Sequence, residues 1–548
     1  MRGSSSGSIQ IQGKQVRIGD GSILLVQNQG NQTAGDITIN ATESVHVVGK
    51  SPDFSSSSSL INETLSSGAA GNIIINTLLL NVEQGGYIFN RTFGAAPGGN
   101  IVINTDEMGV NGFAAGDPSA FRSVSQILAA SYGNGKGGNI AISTKNLIIS
   151  AGGNVAARPY ASGSGGDVTV KADTIQVTSA GAPTGNYFSL LSTASFGFGD
   201  AGNLLIDTRK LSVQTGSRVS ASSIVLGNAG SLTVNASESI DVSGIKDALN
   251  PSYIGTAVRP VGSYAQLSRA NSGNTTINTP VFNISDGATV FVQNLGFGKA
   301  GTLHINANTL KLDKNASISA STTAGEGGNI DLRIQDILRM RHGSFISAEA
   351  GGTGNGGDIT IDAPIILGLE NSDIIANAVK SRGGNIHIAT QGIIGLKYTN
   401  LLNPKEVPTN DITASSQFNL SGTVQINNIG VDPNSGLVEL PANVTDPSQQ
   451  IASGCSANQG SRFVATGRGG IPQNPNQHVA NNRTWSDIRE ISAYRKTGSE
   501  TAQIPLSSET LVQATSWHRN TQGKIQLIAN KSSASMRQAL TCTGVIKS

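Results

Sequence analysis

The sequence predicts an all-β protein: a right-handed parallel β-helix of about 14 coils, three strands per coil, with a small C-terminal capping module. Three observations predict it. A Gly-led motif recurs with a period near 28 residues. Its strand positions alternate aliphatic and polar. The chain of 548 residues holds 68 Gly, with only 13% charged and 4% aromatic residues, against about 25% charged in ordinary globular proteins. Fixed periods of this size denote solenoids, whose units bury their apolar faces only by stacking.

The clearest copies read GGNIVINT, GGNIAIST, GGDVTVKA, AGNLLIDT, GGDITIDA and GGNIHIAT. With the residue after the Gly as position zero, fourteen copies start at Ser8, Asp36, Asn72, Asn100, Asn139, Asp167, Asn203, Ser231, Asn274, Thr302, Asn329, Asp358, Asn385 and Thr423. Eight of the thirteen intervals are 27–29 residues and five are longer.

The first strand is set by positions +1 and +3, from Ile9/Ile11 to Val424/Ile426. Of these 28 sites 27 are Ile, Leu or Val, and Thr275 is the exception. Period-2 alternation of this kind buries one face of a strand. Position +2 points to solvent and carries Thr38, Thr169, Thr233, His304, Thr360, His387 and Gln425. A second strand follows at +8 and +10, as in Leu147/Ile149 and Leu211/Val213, and a third near +16, as in Val155, Val219 and Ile318. Each strand is expected to pair with its equivalent in the next copy, with right-handed crossovers. At about 4.8 Å per paired strand, the coils make a rod of roughly 60 Å.

The Gly before position zero is present in all fourteen copies. It serves a positive-φ turn or a corner too tight for a Cβ. Position +4 is Asn in seven copies and Asp in two, Asp207 and Asp362, which reads as a side-chain ladder capping the turn. The longer intervals keep the frame and add loops. Phe121 and Arg122 lie in the insert around 112–130, Tyr253, Arg259 and Tyr264 in that around 246–268, and Tyr398 and Lys405 in that around 397–410. Tyr and Arg are enriched where binding energy concentrates, and loops on rigid scaffolds commonly carry function. These seven are the candidate binding residues.

The period stops near residue 430. The shaft is assigned to 1–430, and 431–548 to a Pro-rich linker and a C-terminal module. Both Trp and both Cys lie in the latter, and two apolar runs around Asn520–Gly523 read as a hairpin.

Searches for reactive chemistry return little. Lys+Arg 37 against Asp+Glu 35 gives a net charge of +2, which argues against a nucleic-acid partner held through phosphates. No P-loop or HExxH occurs, and no cofactor or metal is expected. GSGGDVTV and GNGGDITI echo a calcium-binding turn, but that motif needs tandem nonapeptides. Carbohydrate-active β-helices need carboxylates clustered on neighbouring coils. The nearest here, Asp207, Asp331 and Asp362, do not share one row.

The tail motifs GLVELPANVTDPSQQI, SRFVATGRGGIPQNP and WSDIR, with a closing Trp-and-Cys segment, resemble the C-terminus of cyanobacterial filamentous-hemagglutinin-type exoproteins. The GGNI-type coils resemble the shaft of the same family, so the resemblance covers essentially the whole chain. It implies two-partner secretion through an outer-membrane β-barrel transporter, a secreted or outer-surface location, and an adhesive role toward a glycan or cell-surface receptor. The start departs from the family: MRGSSSGSIQIQ has no apolar leader, and Met1 falls seven residues before an in-register coil. A fragment, or a start placed inside a longer frame, is expected. Export would let Cys455 and Cys542 pair, closing a loop of nearly ninety residues and contributing nominally about 4–5 kcal/mol through loop entropy. Two free thiols are the other outcome. The expected function is an adhesin-like structural protein without catalysis; a polysaccharide lyase or hydrolase-like β-helix is the alternative.

Overall fold

The computed structural model describes residues 7–114, 116, 124–183, 185, 187–247, 250–418, 420–428, 516–519, 521 and 525–528. The chain divides into two units, Met1–Val438 and Glu439–Ser548.

Among its described residues the first unit is all-β, with two short 3-10 turns, Gly262–Gln266 and Pro404–Glu406. Its strands form one sheet of 18 and one of 14. Strand pairing within both is parallel, giving a β-helix-like stack. The repeat register is visible directly: Ile140–Ser150 lies beside Val168–Thr178 with Ile140 opposite Val168, Ile142 opposite Val170, and Leu147 opposite Ile175. Equivalent positions of successive repeats are therefore neighbours.

The +1 and +8 strands, expected as separate elements, share the first sheet, often as one continuous strand such as Leu204–Gln214. Elsewhere they part, as in Ile101–Asn104 and Glu107–Asn111. In six of the fourteen copies, Thr105 and Thr144 among them, a Thr at +5 marks the junction. Its hydroxyl donates to the carbonyl two residues on, at 2.9 Å from Thr105 to Glu107 and 3.1 Å from Thr144 to Asn146. This local bond satisfies the hydroxyl where the two strand segments meet. The +16 strands, such as Asn154–Pro159 and Arg218–Ser223, make the second sheet.

The core lies between the sheets. Ile142 is 2% exposed and Ile206 0%, and burying such a side chain stabilises by about 1.5–3 kcal/mol. The exceptional Thr275 is also fully buried; its hydroxyl lies 3.4 Å from that of Thr256, which donates to the Gly273 carbonyl at 2.7 Å.

The corner Gly is used for close approach. A Cβ on Gly138 would collide with the Gly99 carbonyl oxygen, and one on Gly166 with that of Gly138. No side chain fits where the same corner stacks on itself. Two ladders run beside it. At position zero, Asn100 Oδ1 accepts the Asn139 N–H at 2.9 Å, and Asn139 Oδ1 accepts the Asp167 N–H at 2.8 Å. At +4, Asn235 donates to Asp207 at 2.8 Å, Asn278 to Asn235 at 2.7 Å, and Asn306 to Asn278 at 2.7 Å.

In the second unit, Ser516–Arg519 and Ile525–Ile528 pair antiparallel, with Trp517 opposite Leu527. This is the hairpin expected from the flanking apolar runs. Cys455 and Cys542 lie outside the described residues.

Candidate functional site

The outward face of the second sheet is uneven. Toward its later strands, beyond the buried Tyr253 and Phe291, it carries small polar residues such as Ser317, Ser319 and Ser321. Earlier it is aromatic and cationic. Register places Tyr87, Gln126, Asn154, Leu190, Arg218 and Tyr253 in one outward column. Ile61, Phe89, Leu128 and Ala156 form a second, and Glu63, Arg91, Ala130 and Arg158 a third.

One residue beyond the strand ends, Phe93, Tyr132, Tyr160 and Phe196 stack along the coils. Their centroids are 5.0, 4.8 and 5.6 Å apart, with interplanar angles of 13°, 3° and 26°. The spacing is that of neighbouring strands, so the backbone itself sets the stack. Such pairs add about 0.5–1.5 kcal/mol each beyond area burial. Burial raises the Tyr132 phenol above its ordinary value.

Tyr132, Tyr160 and Phe196 line a groove of about 1140 Å³. Phe54, Tyr187 and Phe188, from segments inserted before their strands, line it as well. The loop bearing Tyr187 is tied down by Lys246, whose ammonium donates to the carbonyls of Pro183 at 2.6 Å, Gly185 at 3.2 Å, and Tyr187. Among the described residues the lining contains Lys50, Arg91, Arg158 and Arg218 and no Asp or Glu. Arg91 pairs with Glu63 at 2.6 Å, just outside. Arg158 has no carboxylate partner among the described residues, while Arg218 donates from Nη2 to Asn250 Oδ1 at 3.0 Å and feels the Asp247 carboxylate. Arg158 lies 5.5 Å from the Phe196 centroid and Arg218 3.5 Å from that of Phe188. Burial lowers the pKa of Arg218. The Nε of each, and Asn154 Oδ1, are buried without a hydrogen-bond partner, where buried polar atoms are normally bonded.

The residues singled out from sequence fall elsewhere or at the margin. Tyr253 is no loop residue: it opens the strand Tyr253–Val258 at 8% exposure and packs on Phe291, centroids 4.9 Å apart. Its register with Arg218 continues the sheet, so the interval lengthens on either side of this strand. Arg259 caps that aromatic pair, 4.8 Å from the Phe291 centroid. Tyr264 lies in the 3-10 turn, edge-on to Phe198 at 6.1 Å. Tyr398 is 55% exposed, and its hydroxyl donates to Asn400 at 2.8 Å. Lys405 is held by Glu349 at 3.1 Å and by the Phe345 ring at 3.9 Å. Phe121 and Arg122 lie outside the described residues.

The acidic candidates are not brought together. Between Asp207 and Asp362 the +4 row passes through Asn235, Asn278, Asn306 and Arg333, a separation of roughly 24 Å at strand spacing. Asp331 is one row away, 3.3 Å from His304. The Asp of each GGD turn is a ladder member: Asp167 accepts the Asn203 N–H at 2.7 Å and Asp358 that of Asn385 at 3.0 Å. Among the described residues no group of three His, Cys, Asp or Glu could hold a metal.

Counting forward from each repeat start hid the aromatic stack, because inserts shift the offset. Counted backward, Phe93, Tyr132, Tyr160 and Phe196 each stand six residues before a corner Gly: Gly99, Gly138, Gly166 and Gly202. No family model matches the chain, and no curated protein or solved structure is significantly similar to it.

Proposed function

We propose that the chain is a structural, adhesive shaft: a right-handed β-helix of about 14 coils with a 28-residue repeat, belonging to a secreted or surface-exposed protein of the filamentous-hemagglutinin type. Its export partner would be an outer-membrane β-barrel transporter, and its target a glycan or cell-surface receptor. One observation carries the adhesive reading: large aromatic and cationic side chains gather in a single groove, whereas the later strand Ser317–Thr322 presents short polar residues. Stacked repeats supply rigidity, and the groove supplies contact chemistry of the kind found at binding hot spots.

The alternative, a carbohydrate-active enzyme, needs paired carboxylates about 5–9.5 Å apart. Asp207 and Asp362 stand far beyond that, so this acidic pair does not serve such a reaction. Beads coated with the purified chain should adhere to cells or glycan-coated surfaces, and shortening the segments that flank the strand Tyr253–Val258 and the insert around 397–410 tests their share. Release of reducing ends from a polysaccharide would favour the enzyme. Beads that adhere to no surface would count against both.

A further inference from the structure

The groove's chemistry narrows the ligand class; the inference rests on the adhesive reading above. Six strand spacings separate Ile23 from Arg218 along the outward column, or about 29 Å. An extended polymer suits such a site better than a compact molecule. Charge selects its sign: among the described residues the lining carries four cations and no acid, and of these Arg91 is already answered by Glu63 beside it. The overall charge is only +2, so the cationic character is local.

Two of the cations are poised for an anion. Arg158 lacks a carboxylate partner among the described residues, Arg218 spends one Nη2 donor on Asn250 at 3.0 Å, and each keeps a buried Nε without a hydrogen bond. Each lies by an aromatic ring, Phe196 and Phe188 respectively, which fixes the guanidinium plane. A planar fork held this way receives a carboxylate through two N–H donors. Asn154 Oδ1, buried and unpartnered in the same column, can accept a hydroxyl.

The stacked rings decide between polyanions. Tyr132 and Tyr160 have neighbours on both faces, so no base can stack on them, whereas single-stranded nucleic acids are bound by such stacking combined with a basic groove. The stack offers ring edges, and neither tyrosine hydroxyl has a partner among the described residues. With Ser57, Gln126 and Asn154 alongside, the surface presents closely spaced donors and acceptors suited to sugar hydroxyls. We propose that this groove binds an extended uronate-bearing polysaccharide along the shaft axis, with Arg158 and Arg218 receiving its carboxylates.

The test uses the full chain and polygalacturonate, with neutral dextran and dextran sulfate as comparators, followed by calorimetry or immobilised-ligand binding. Polygalacturonate should bind, dextran should not, and R158Q/R218Q should weaken binding by roughly tenfold or more. A charge-matched control, R209Q/R341Q, removes two exposed arginines that pair with Glu238 and Glu370, and should bind as the parent does. Circular dichroism and thermal melting confirm that each variant keeps its fold. Absence of binding, equal binding of dextran, tighter binding of dextran sulfate than of polygalacturonate, or equal losses in the two double variants would overturn the proposal. Cell adhesion that persists without polygalacturonate binding would sink this inference and leave the adhesive reading standing.

Discussion

The backbone N–H of Asp411 donates to Oδ1 of Asp373 at 2.9 Å, placing two aspartates side by side at 1% exposure each. Burial pushes the Asp373 carboxyl up to about 6 from an ordinary 3.8; the Asp411 N–H opposes this and the neighbouring Asp411 carboxylate adds to it. The folded state therefore holds this proton more tightly than the unfolded chain. The group's contribution to stability is greatest below about pH 4, falls as pH rises to about 6, and stays at the lower level above that. An Asn at 373 keeps the acceptor and removes the charge. D373N is expected to raise stability by about 1–2 kcal/mol at pH 7.5, after allowance for solvent screening, and by nothing at pH 3.5. Denaturant unfolding at the two pH values measures it.

The Gly stack gives a second expectation. G138A forces a Cβ against the Gly99 carbonyl, whereas a Cβ on Gly392 meets nothing within 4 Å. G138A should cost about 1–3 kcal/mol through overpacking, and G392A should change stability little. Paired thermal melts decide; equal effects would refute the close-approach account.

Inward aliphatic sites carry the stack. Ile142, 2% exposed, replaced by Asp leaves an unpaired buried charge that costs several kcal/mol. I142D should lose its cooperative transition or melt far lower, while A141D, on the exposed side of the same strand, should not.

The buried hydroxyls near Thr275 are unequal. Thr256 satisfies the Gly273 carbonyl at 2.7 Å, and Thr275 makes only the 3.4 Å contact to Thr256. T256V should cost about 1–3 kcal/mol by orphaning a buried acceptor, and T275V should be close to neutral. Urea unfolding of the two variants ranks them.

Asp207 sets the direction of the +4 ladder. A carboxylate only accepts, so Asn235 must turn its amide toward it, and Asn278 and Asn306 follow. N278D puts an acceptor against Asn235 Oδ1 and should cost about 1–2 kcal/mol. In a D207N background Asn235 is free to reverse, so the penalty should shrink. A double-mutant cycle without coupling would refute this polarity.

The parallel all-β architecture was legible in the chain because inward packing demands one residue class at fixed spacing. Ile140 and Ile142 recur as Val168 and Val170, and as Leu204 and Ile206, wherever a strand has one buried face. The corner Gly was legible too, though not whether positive φ or crowding required it; only the stacked Gly99 carbonyl over Gly138 decided that. The groove was not legible. Phe93, Tyr132, Tyr160 and Phe196 are separated by 28–39 residues, and loop length, which stacking leaves unconstrained, scatters their offsets. Arg158 meets Phe196, and Arg218 meets Phe188, through register across strands and the path of an insert. Local alternation determined the buried face by itself. Which outward side chains become neighbours depended on how many residues each coil spends between strands, and only the folded stack resolves that.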